Sequence, residues 1–239
     1  MYEKFEALER CHWGGFQIPA ARFYSSCVVS AFQYLHDMGV AYRDLKPENL
    51  LLDADGYLKV VDFGFAKRIP FYKGNVLSQR SFTLCETPEY LSPELVLSKG
   101  HNKSVDYWAL GCLVYELLVG TTPFQDQQQP KIFEKIIHCD KHLHFPEDFD
   151  EDAKDLIRRL LTPNPALRLG ALAGATQDIM DHRWYRAAHF SWTDLHARRI
   201  PAPFKPPISD PLDSSNFDPY PEDDRVTPYR GPAEHFEGF

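Results

Sequence analysis

Apolar residues recur at helical spacing in several parts of the 239-residue chain. The first such pattern begins at Pro19, which suits the first turn of a helix, and Gly39 can end it. A second pattern over residues 104–118 has few charges, as expected of a buried helix, and Gly120 ends it. Three shorter patterns predict helices over residues 131–138, 152–161 and 175–184. The sequence therefore predicts a mainly α-helical protein.

Two short strands interrupt the helical part. Residues 50–52 and 57–61 have strand character, and the Asp-Ala-Asp-Gly sequence at 53–56 between them is a strong hairpin signal. No periodic segment occurs over residues 62–94, and a loop of that length inside a compact domain is usually functional. After Ile200 prolines multiply, which predicts an extended tail and no second domain. The predicted fold class is α+β with one short β-hairpin.

Composition excludes several classes of protein. The net charge of −8 argues against nucleic acid or an anionic membrane as the main partner, and it suits a surface that receives basic peptides. The five cysteines have no disulfide-like spacing, which indicates a reducing compartment. The N-terminus does not resemble a signal peptide, and the most apolar stretch, residues 109–120, is too short to span a bilayer. We expect a soluble protein of the cytoplasm or also the nucleus.

A cluster of histidine, cysteine and aspartate occupies residues 138–144. These residue types bind metals, but their spacing matches no closed zinc pattern. We therefore interpret the cluster as a polar surface loop that follows a helix.

The stretch from Tyr42 to Asn49 reads Y-R-D-L-K-P-E-N, and D-F-G follows the hairpin at Asp62. The Asp62 carboxylate and the Asn49 amide oxygen are the kind of ligand that Mg2+ prefers. Asp44 can orient a substrate hydroxyl and accept its proton. Lys46, two residues on in an extended loop, would point the same way, toward a phosphate. Together these residues are suited to phosphoryl transfer, which depends mainly on positioned charges.

These motifs resemble the signature of protein kinases, with Tyr42 where that signature has histidine. The resemblance is to the AGC group of serine/threonine kinases, first to the cyclic-AMP-dependent kinases and next to the cyclic-GMP-dependent ones. Further segments carry it: T-P-E-Y-L-S-P-E at 87–94, W-A-L-G at 108–111 and the terminal F-x-x-F at 236–239. The terminal F-x-x-F favours the cyclic-AMP type.

The resemblance implies a protein-kinase-like fold, with the mainly helical C-terminal lobe over residues 1–184 and an AGC-type C-terminal tail over 185–239. It implies transfer of the γ-phosphate of ATP, with Mg2+, to serine or threonine of basic protein substrates that carry Arg or Lys before the target residue. A cyclic-nucleotide-binding regulatory subunit is an implied partner. Nucleic acid and a membrane span are not.

The resemblance also implies a role for each of several residues. The implied catalytic residues are Asp44, Lys46, Asn49 and Asp62, of which Asn49 and Asp62 hold the metal ion. The residues implied to contact the nucleotide are Lys46, Glu48, Asn49, Leu51, Asp62 and Phe217. Those implied to contact the protein substrate are Glu48, Thr87, Glu89 and Glu116, and Glu3 joins them only if the alignment is shifted by one residue.

Two further groups are implied. The implied phosphorylation sites are Thr83 and Thr227, and a phosphate on Thr83 would meet Arg43 and Lys67. Arg43, Asp106 and the pair Glu94–Arg168 are implied to have structural roles, because an unpaired charge in such buried places would be costly.

The sequence departs from the family pattern in three ways. It contains no G-x-G-x-x-G loop and no V-A-I-K strand, the parts that cover ATP from the small N-terminal lobe. Glu86 stands where the family has glycine, and residues 70–80 contain an insertion. Tail aromatics such as Phe217 would have nothing to pack against without the small lobe. We therefore expect this chain to be a truncated part of a kinase whose full version has that lobe. The alternative is a catalytically inactive lobe that docks a regulatory subunit or a substrate.

Overall fold

The computed structural model describes residues 12–69, 88–186, 190–210, 213–217 and 230–232. Glu3, Thr83, Glu86, Thr87, Thr227 and the insertion at 70–80 lie outside the described residues. The chain divides into two compact units, Met1–Pro206 and Pro207–Phe239. The first unit includes residues 190–206, which the sequence assigned to the tail.

The described part of the first unit is mainly helical. Its helices are α1 (Ile18–Asp37), α2 (Pro93–Val96), α3 (Ser104–Val119), α4 (Gln129–Ile137), α5 (Cys139–His142), α6 (Glu151–Leu160), α7 (Thr176–Met180), α8 (Arg183–Arg186) and α9 (Trp192–His196). Its strands are β1 (Val40–Ala41), β2 (Leu50–Leu52), β3 (Leu58–Val60) and β4 (Lys67–Arg68), and short 3-10 turns cover Pro47–Asn49 and Pro88–Tyr90. Strands β1 and β4 pair antiparallel, as do β2 and β3. This is the predicted α+β class.

Helix α3 forms the centre of the core. Every residue from Ser104 to Leu118 is buried, and α1 and α6 pack against it. A methyl group added at Gly111 would lie 2.9 Å from the Leu160 side chain, so this glycine allows α6 to approach α3 closely. Gly120 ends the helix with φ 84°, a left-handed conformation that favours glycine. The buried helix predicted from the apolar pattern is confirmed.

The single helix predicted over residues 175–184 is wrong. Two short helices, α7 and α8, are separated at Asp181 and His182. The His182 ring explains the break, because its Nδ1 accepts a hydrogen bond from the backbone N–H of Trp184 at 3.2 Å. Its Nε2 lies 3.0 Å from an Asp155 carboxylate oxygen, which holds the ring in place.

The interpretation of residues 138–144 as a polar surface loop is also wrong in part. Residues Cys139–His142 form helix α5, and Cys139 is buried with its thiol directed to the carbonyl oxygen of Leu161 at 3.4 Å. The described residues contain no group of three or more potential metal-binding side chains. Among the same residues, no helix has the length and apolar character required to cross a membrane.

The turn of the β2–β3 hairpin is held by the segment that follows α9, which we call the strap (residues 198–204). Arg198 donates hydrogen bonds to Asp53 and Asp55, and its guanidinium lies 4.8 Å from the centre of the Tyr57 ring. The Tyr57 hydroxyl donates to the carbonyl oxygen of Ile200 at 2.7 Å. The strap therefore covers the turn that connects the two strands.

Replacing Gly56 with alanine is expected to lower the free energy of unfolding by about 2–4 kcal/mol, from backbone strain and steric overlap together. Gly56 has φ 83°, and a Cβ atom there would lie 2.0 Å from the carbonyl oxygen of Phe204 in the strap. Urea denaturation would measure the change. Ala54→Ser, at an exposed position of the same turn, should remain within about 0.5 kcal/mol of the wild type. Equal midpoints for both variants would contradict the close contact.

Candidate active site

The start of the 42–49 loop is held by a buried carboxylate. Asp106, on α3, is 1% exposed, and its Oδ1 accepts from the backbone N–H of Arg43 at 2.7 Å. Its Oδ2 accepts from the backbone N–H of Tyr42 at 2.9 Å and lies 2.7 Å from Nε2 of His36. Three partners thus surround this charge in the core, as a buried carboxylate requires. The most buried helix of the lobe therefore fixes the loop backbone.

Asp44, Lys46 and Asn49 lie together in this loop. The Asp44 carboxylate is 5% exposed, and its Oδ2 lies 3.2 Å from the ammonium nitrogen of Lys46. The Asn49 amide nitrogen donates to the same oxygen at 2.7 Å and to the backbone carbonyl of Asp44 at 2.8 Å. Because both contacts use the amide nitrogen, the Asn49 amide oxygen is the atom suited to face a cation.

The hairpin brings Asp62 to the side of Asn49. Strands β2 and β3 pair Leu50 with Val60, and the next hydrogen bond runs from the N–H of Val61 to the carbonyl of Asn49 at 3.0 Å. Asp62 follows directly, with φ 58°, and its Oδ1 accepts from the N–H of Gly64 at 3.0 Å. A left-handed aspartate costs on the order of 1–3 kcal/mol, and such strained residues cluster at functional sites.

Tyr42 links this segment to the loop. Its hydroxyl donates to the carbonyl of Val61 at 2.6 Å, and its ring meets the edge of the Phe63 ring at 5.4 Å between centroids. Burial, followed by the nearby Asp44 carboxylate, raises the pKa of the Tyr42 phenol well above its ordinary value. The sequence marked Tyr42 only as a replacement for histidine. Its contact with Val61 was not predicted, because nothing in the spacing of two residues 19 positions apart indicates it.

The Arg43 side chain contacts two other segments of the chain. Its Nε donates to the carbonyl of Phe65 at 2.8 Å, and its Nη1 lies 3.2 Å from Nε2 of His101. Arg43 itself has φ 71°. Lys67, on β4, is exposed and acts electrostatically on His101. Arg43 and Lys67 therefore both lie in the surroundings of His101.

Glu94 and Arg168 form a buried ion pair with two parallel hydrogen bonds. The distances are 2.7 Å from Nη1 to Oε1 and 2.9 Å from Nη2 to Oε2. Arg168 is 0% exposed, and it also donates to the carbonyl of Ser104 at 2.9 Å. This guanidinium joins the segment around α2 to the start of α3.

Comparison with known proteins decides the family. A family model described as the protein kinase domain matches residues 3–185, more than half of the chain. The chain belongs to the protein kinase family.

Several curated relatives of this kinase chain are named as cyclic-nucleotide-dependent protein kinases. It is 48% identical over 215 residues to cGMP-dependent protein kinase 2 of Rattus norvegicus, covering 90% of this chain and 27% of the relative. It is 45% identical over 211 residues to cAMP-dependent protein kinase catalytic subunit 3 of Drosophila melanogaster, covering 88% of this chain and 34% of the relative. It is 47% identical over 211 residues to the cAMP-dependent protein kinase catalytic subunit of Dictyostelium discoideum, covering 88% of this chain and 31% of the relative.

The kinase chain thus spans about a quarter to a third of the length of these relatives. The predicted resemblance to AGC kinases that depend on cyclic nucleotides is confirmed. The two types match at similar identity, so the preference for cyclic AMP over cyclic GMP stays a prediction.

The carboxylates predicted to contact the protein substrate of this kinase have different surroundings. Glu116 accepts a hydrogen bond from the hydroxyl of Tyr90, and Glu89 accepts one from the hydroxyl of Thr122. Because Tyr90 is the neighbour of Glu89 in the chain, these two carboxylates belong to one region at the C-terminal half of α3. Glu48 lies exposed on the 3-10 turn Pro47–Asn49.

Two residues predicted to contact the nucleotide are exposed. Leu51 lies on β2, at the hairpin whose base carries Asn49 and Asp62. Phe217 is 59% exposed and belongs to the second compact unit. Leu51 therefore lies in the same unit as the 42–49 loop, and the roles of Leu51 and Phe217 at a nucleotide stay predictions.

The donor set at the hairpin base fits a magnesium ion that is shared with a nucleotide. Mg2+ binds through one or two protein carboxylates, retains water and takes further oxygens from phosphates. Asp62 supplies a carboxylate on the exposed side of the lobe, and Asn49 supplies an amide oxygen. In the described part of the chain, no three acidic, histidine or cysteine side chains are grouped as a closed metal site would require. These residues thus fit a metal ion that arrives with its substrate.

Proposed function

We propose that this chain is the large-lobe part of a serine/threonine protein kinase of the cyclic-nucleotide-dependent type. It would transfer the γ-phosphate of ATP to serine or threonine in basic protein substrates. One observation carries the proposal: the hairpin bonds Val61, the neighbour of Asp62, to the Asn49 backbone, and the Asn49 side chain contacts Asp44, which contacts Lys46. Metal ligands, a base and a cation for phosphate thus lie in one chain of contacts, as phosphoryl transfer requires.

Each residue of this chain of contacts has a defined task. Asp44 orients the substrate hydroxyl and accepts its proton, and Asn49 and Lys46 fix the carboxylate for this purpose. Lys46 also places a positive charge beside the transferred phosphate. Asp62 and the Asn49 amide oxygen would hold Mg2+, which when bound neutralises charge on the phosphates. Tyr42 keeps the Asp62 segment against the loop through Val61.

The acidic residues support a preference for basic substrates. Glu89 and Glu116 each use Oε2 for the hydroxyl contact described above, and an ionised carboxylate can accept further hydrogen bonds. A guanidinium is a suitable donor, because it pairs with carboxylates through two parallel hydrogen bonds. Glu48 adds a third negative charge on the surface. We extend the proposal to a kinase of the cyclic-AMP type, to a cyclic-nucleotide-binding regulatory subunit as its partner, and to a location in the cytoplasm or also the nucleus.

The test is transfer of labelled phosphate from ATP to a serine peptide with two arginines before the serine. The chain is assayed alone and in an upstream-extended version, because it spans only part of its relatives. Asp62→Asn is expected to lower transfer by about 10²-fold or more, because a ligand of the phosphate-bound cation is lost. Chelation of Mg2+ should abolish transfer in the wild type.

Asp140→Asn serves as the control, since Asp140 is an exposed aspartate on α5, outside the hairpin. It should retain transfer. Peptide binding without any phosphate transfer, in both versions of the wild type, would instead support the inactive docking module. Transfer by Asp62→Asn at the wild-type rate would contradict the assigned metal ligand.

A further inference from the structure

A buried histidine contacts the arginine of the catalytic loop. His101 precedes α3 and is 4% exposed, and its Nε2 lies 3.2 Å from Nη1 of Arg43. The arginine guanidinium has only hydrogen-bond donors. The contact is therefore a hydrogen bond only when Nε2 carries no proton, which requires a neutral ring protonated at Nδ1. The two residues are 58 positions apart in the chain.

Arg43 connects the two halves of the proposed active site. Its backbone N–H is held by Asp106, and the following residue is Asp44. Its Nε donates to the carbonyl of Phe65, three residues after Asp62. The orientation of this one side chain therefore affects both the base and the metal-binding segment. His101 is a further partner of this side chain.

We propose that His101 is a positioning residue whose neutral ring accepts a hydrogen bond from Arg43 and so aligns the Asp44 loop with the Asp62 segment. Protonation of His101 removes the acceptor and places a second positive charge against the guanidinium. The contact would then break, and the alignment of the two segments would loosen. The effect on phosphate transfer rests on the proposed function, whereas the contact itself does not.

The surroundings of His101 favour the neutral ring. Burial is the largest cause that lowers the pKa of His101, and the Arg43 guanidinium is the next. Glu94 and Asp106 act in the opposite direction, and Lys67 lowers the pKa further. Because the folded-state pKa is below the ordinary value of about 6.5, the unfolded chain binds the proton more readily. The contribution of His101 to the free energy of unfolding is thus fully present above about pH 6.5, and it is lost as pH falls through the folded-state pKa.

Nitrogen NMR of the labelled chain tests the contact without an activity assay. At pH 7.5 the His101 ring should show a protonated Nδ1 and an unprotonated Nε2. The Nε signal of Arg43 should shift as pH falls below about 6.5, with the same midpoint as the His101 ring. In His101→Gln, whose amide oxygen can accept from Arg43 but does not titrate, the Arg43 signal should lose this pH dependence.

His182→Gln is the matched control. His182 is also buried, and burial likewise lowers its pKa, but its partner is Asp155 on α6. This variant should leave the titration of the Arg43 signal unchanged. A proton on Nε2 of His101 at pH 7.5 would overturn the proposal. So would an Arg43 signal that titrates in His101→Gln as it does in the wild type.

The second arm measures phosphate transfer against pH. The rate of the wild type relative to His101→Gln should fall by up to about tenfold per pH unit below the pKa of His101, because only the neutral fraction holds Arg43. The rate relative to His182→Gln should not fall in this way. His101→Leu, without an acceptor, should be slower than His101→Gln at every pH. Equal pH profiles for the wild type and His101→Gln would overturn the coupling of His101 to phosphate transfer. Absence of transfer in the wild type and in every variant would count against the proposed function alone.

Discussion

Asp44→Asn is expected to lower the rate of phosphate transfer by about 10²–10⁴-fold, the usual contribution of a general base. Asparagine has nearly the same shape as aspartate, so its side-chain oxygen can still receive the amide of Asn49 and the ammonium of Lys46. It cannot accept the proton of the substrate hydroxyl at neutral pH. Initial rates with labelled ATP, measured over a range of peptide concentrations, should show a fall in kcat with little change in KM.

Asp140→Asn is the control for this experiment, because Asp140 is an exposed aspartate on α5. Its kcat should match that of the wild type. If Asp44→Asn and Asp140→Asn had the same kcat in an active protein, Asp44 would have no part in the chemistry. A change confined to KM would instead assign Asp44 to substrate binding.

Arg168→Met is expected to lower the free energy of unfolding by about 3–5 kcal/mol, because it leaves Glu94 as an unpaired buried charge. Glu94 is buried and both of its carboxylate oxygens accept from Arg168. The variant also removes the donor to the carbonyl of Ser104 and the guanidinium that lies 5.1 Å from the centre of the Trp108 ring. Urea denaturation followed by circular dichroism would measure the loss.

Two further variants separate charge burial from packing. Arg186→Gln removes one side of an exposed ion pair with Asp181 and should cost at most about 1 kcal/mol. The double variant Glu94→Leu/Arg168→Met leaves no unpaired charge at this site and should be less destabilised than the sum of its single variants. Additive losses in this cycle would show that the two side chains act independently.

Sequence patterns predicted the elements that carry the site but few of the contacts between distant segments. The apolar stripe of α3 and the Asp-Ala-Asp-Gly turn are local signals, and both elements are present as predicted. Strands β1 and β4 have two residues each, which is too short for any periodicity. The His182 break depends on Asp155 in another helix, so no local pattern could reveal it.

In the candidate site, too, the sequence indicates contacts between near neighbours but not those between distant segments. Asp44, Lys46 and Asn49 lie within six residues of each other, and their mutual contacts follow from the compact loop. The contact between Arg43 and His101 joins positions far apart in the chain and requires the packed fold. Resemblance to kinases assigned Glu116 to substrate binding, but it could not show that Tyr90 donates a hydrogen bond to this carboxylate.

The strap has a practical consequence for anyone who shortens this protein. A version that stops at residue 185, where the family match ends, would lack Arg198 and leave the carboxylates of Asp53 and Asp55 without their shared counter-charge. The Tyr57 ring would lose its cover at the same time. A version for expression and crystallisation should therefore extend at least to Phe204, beyond the end of the family match.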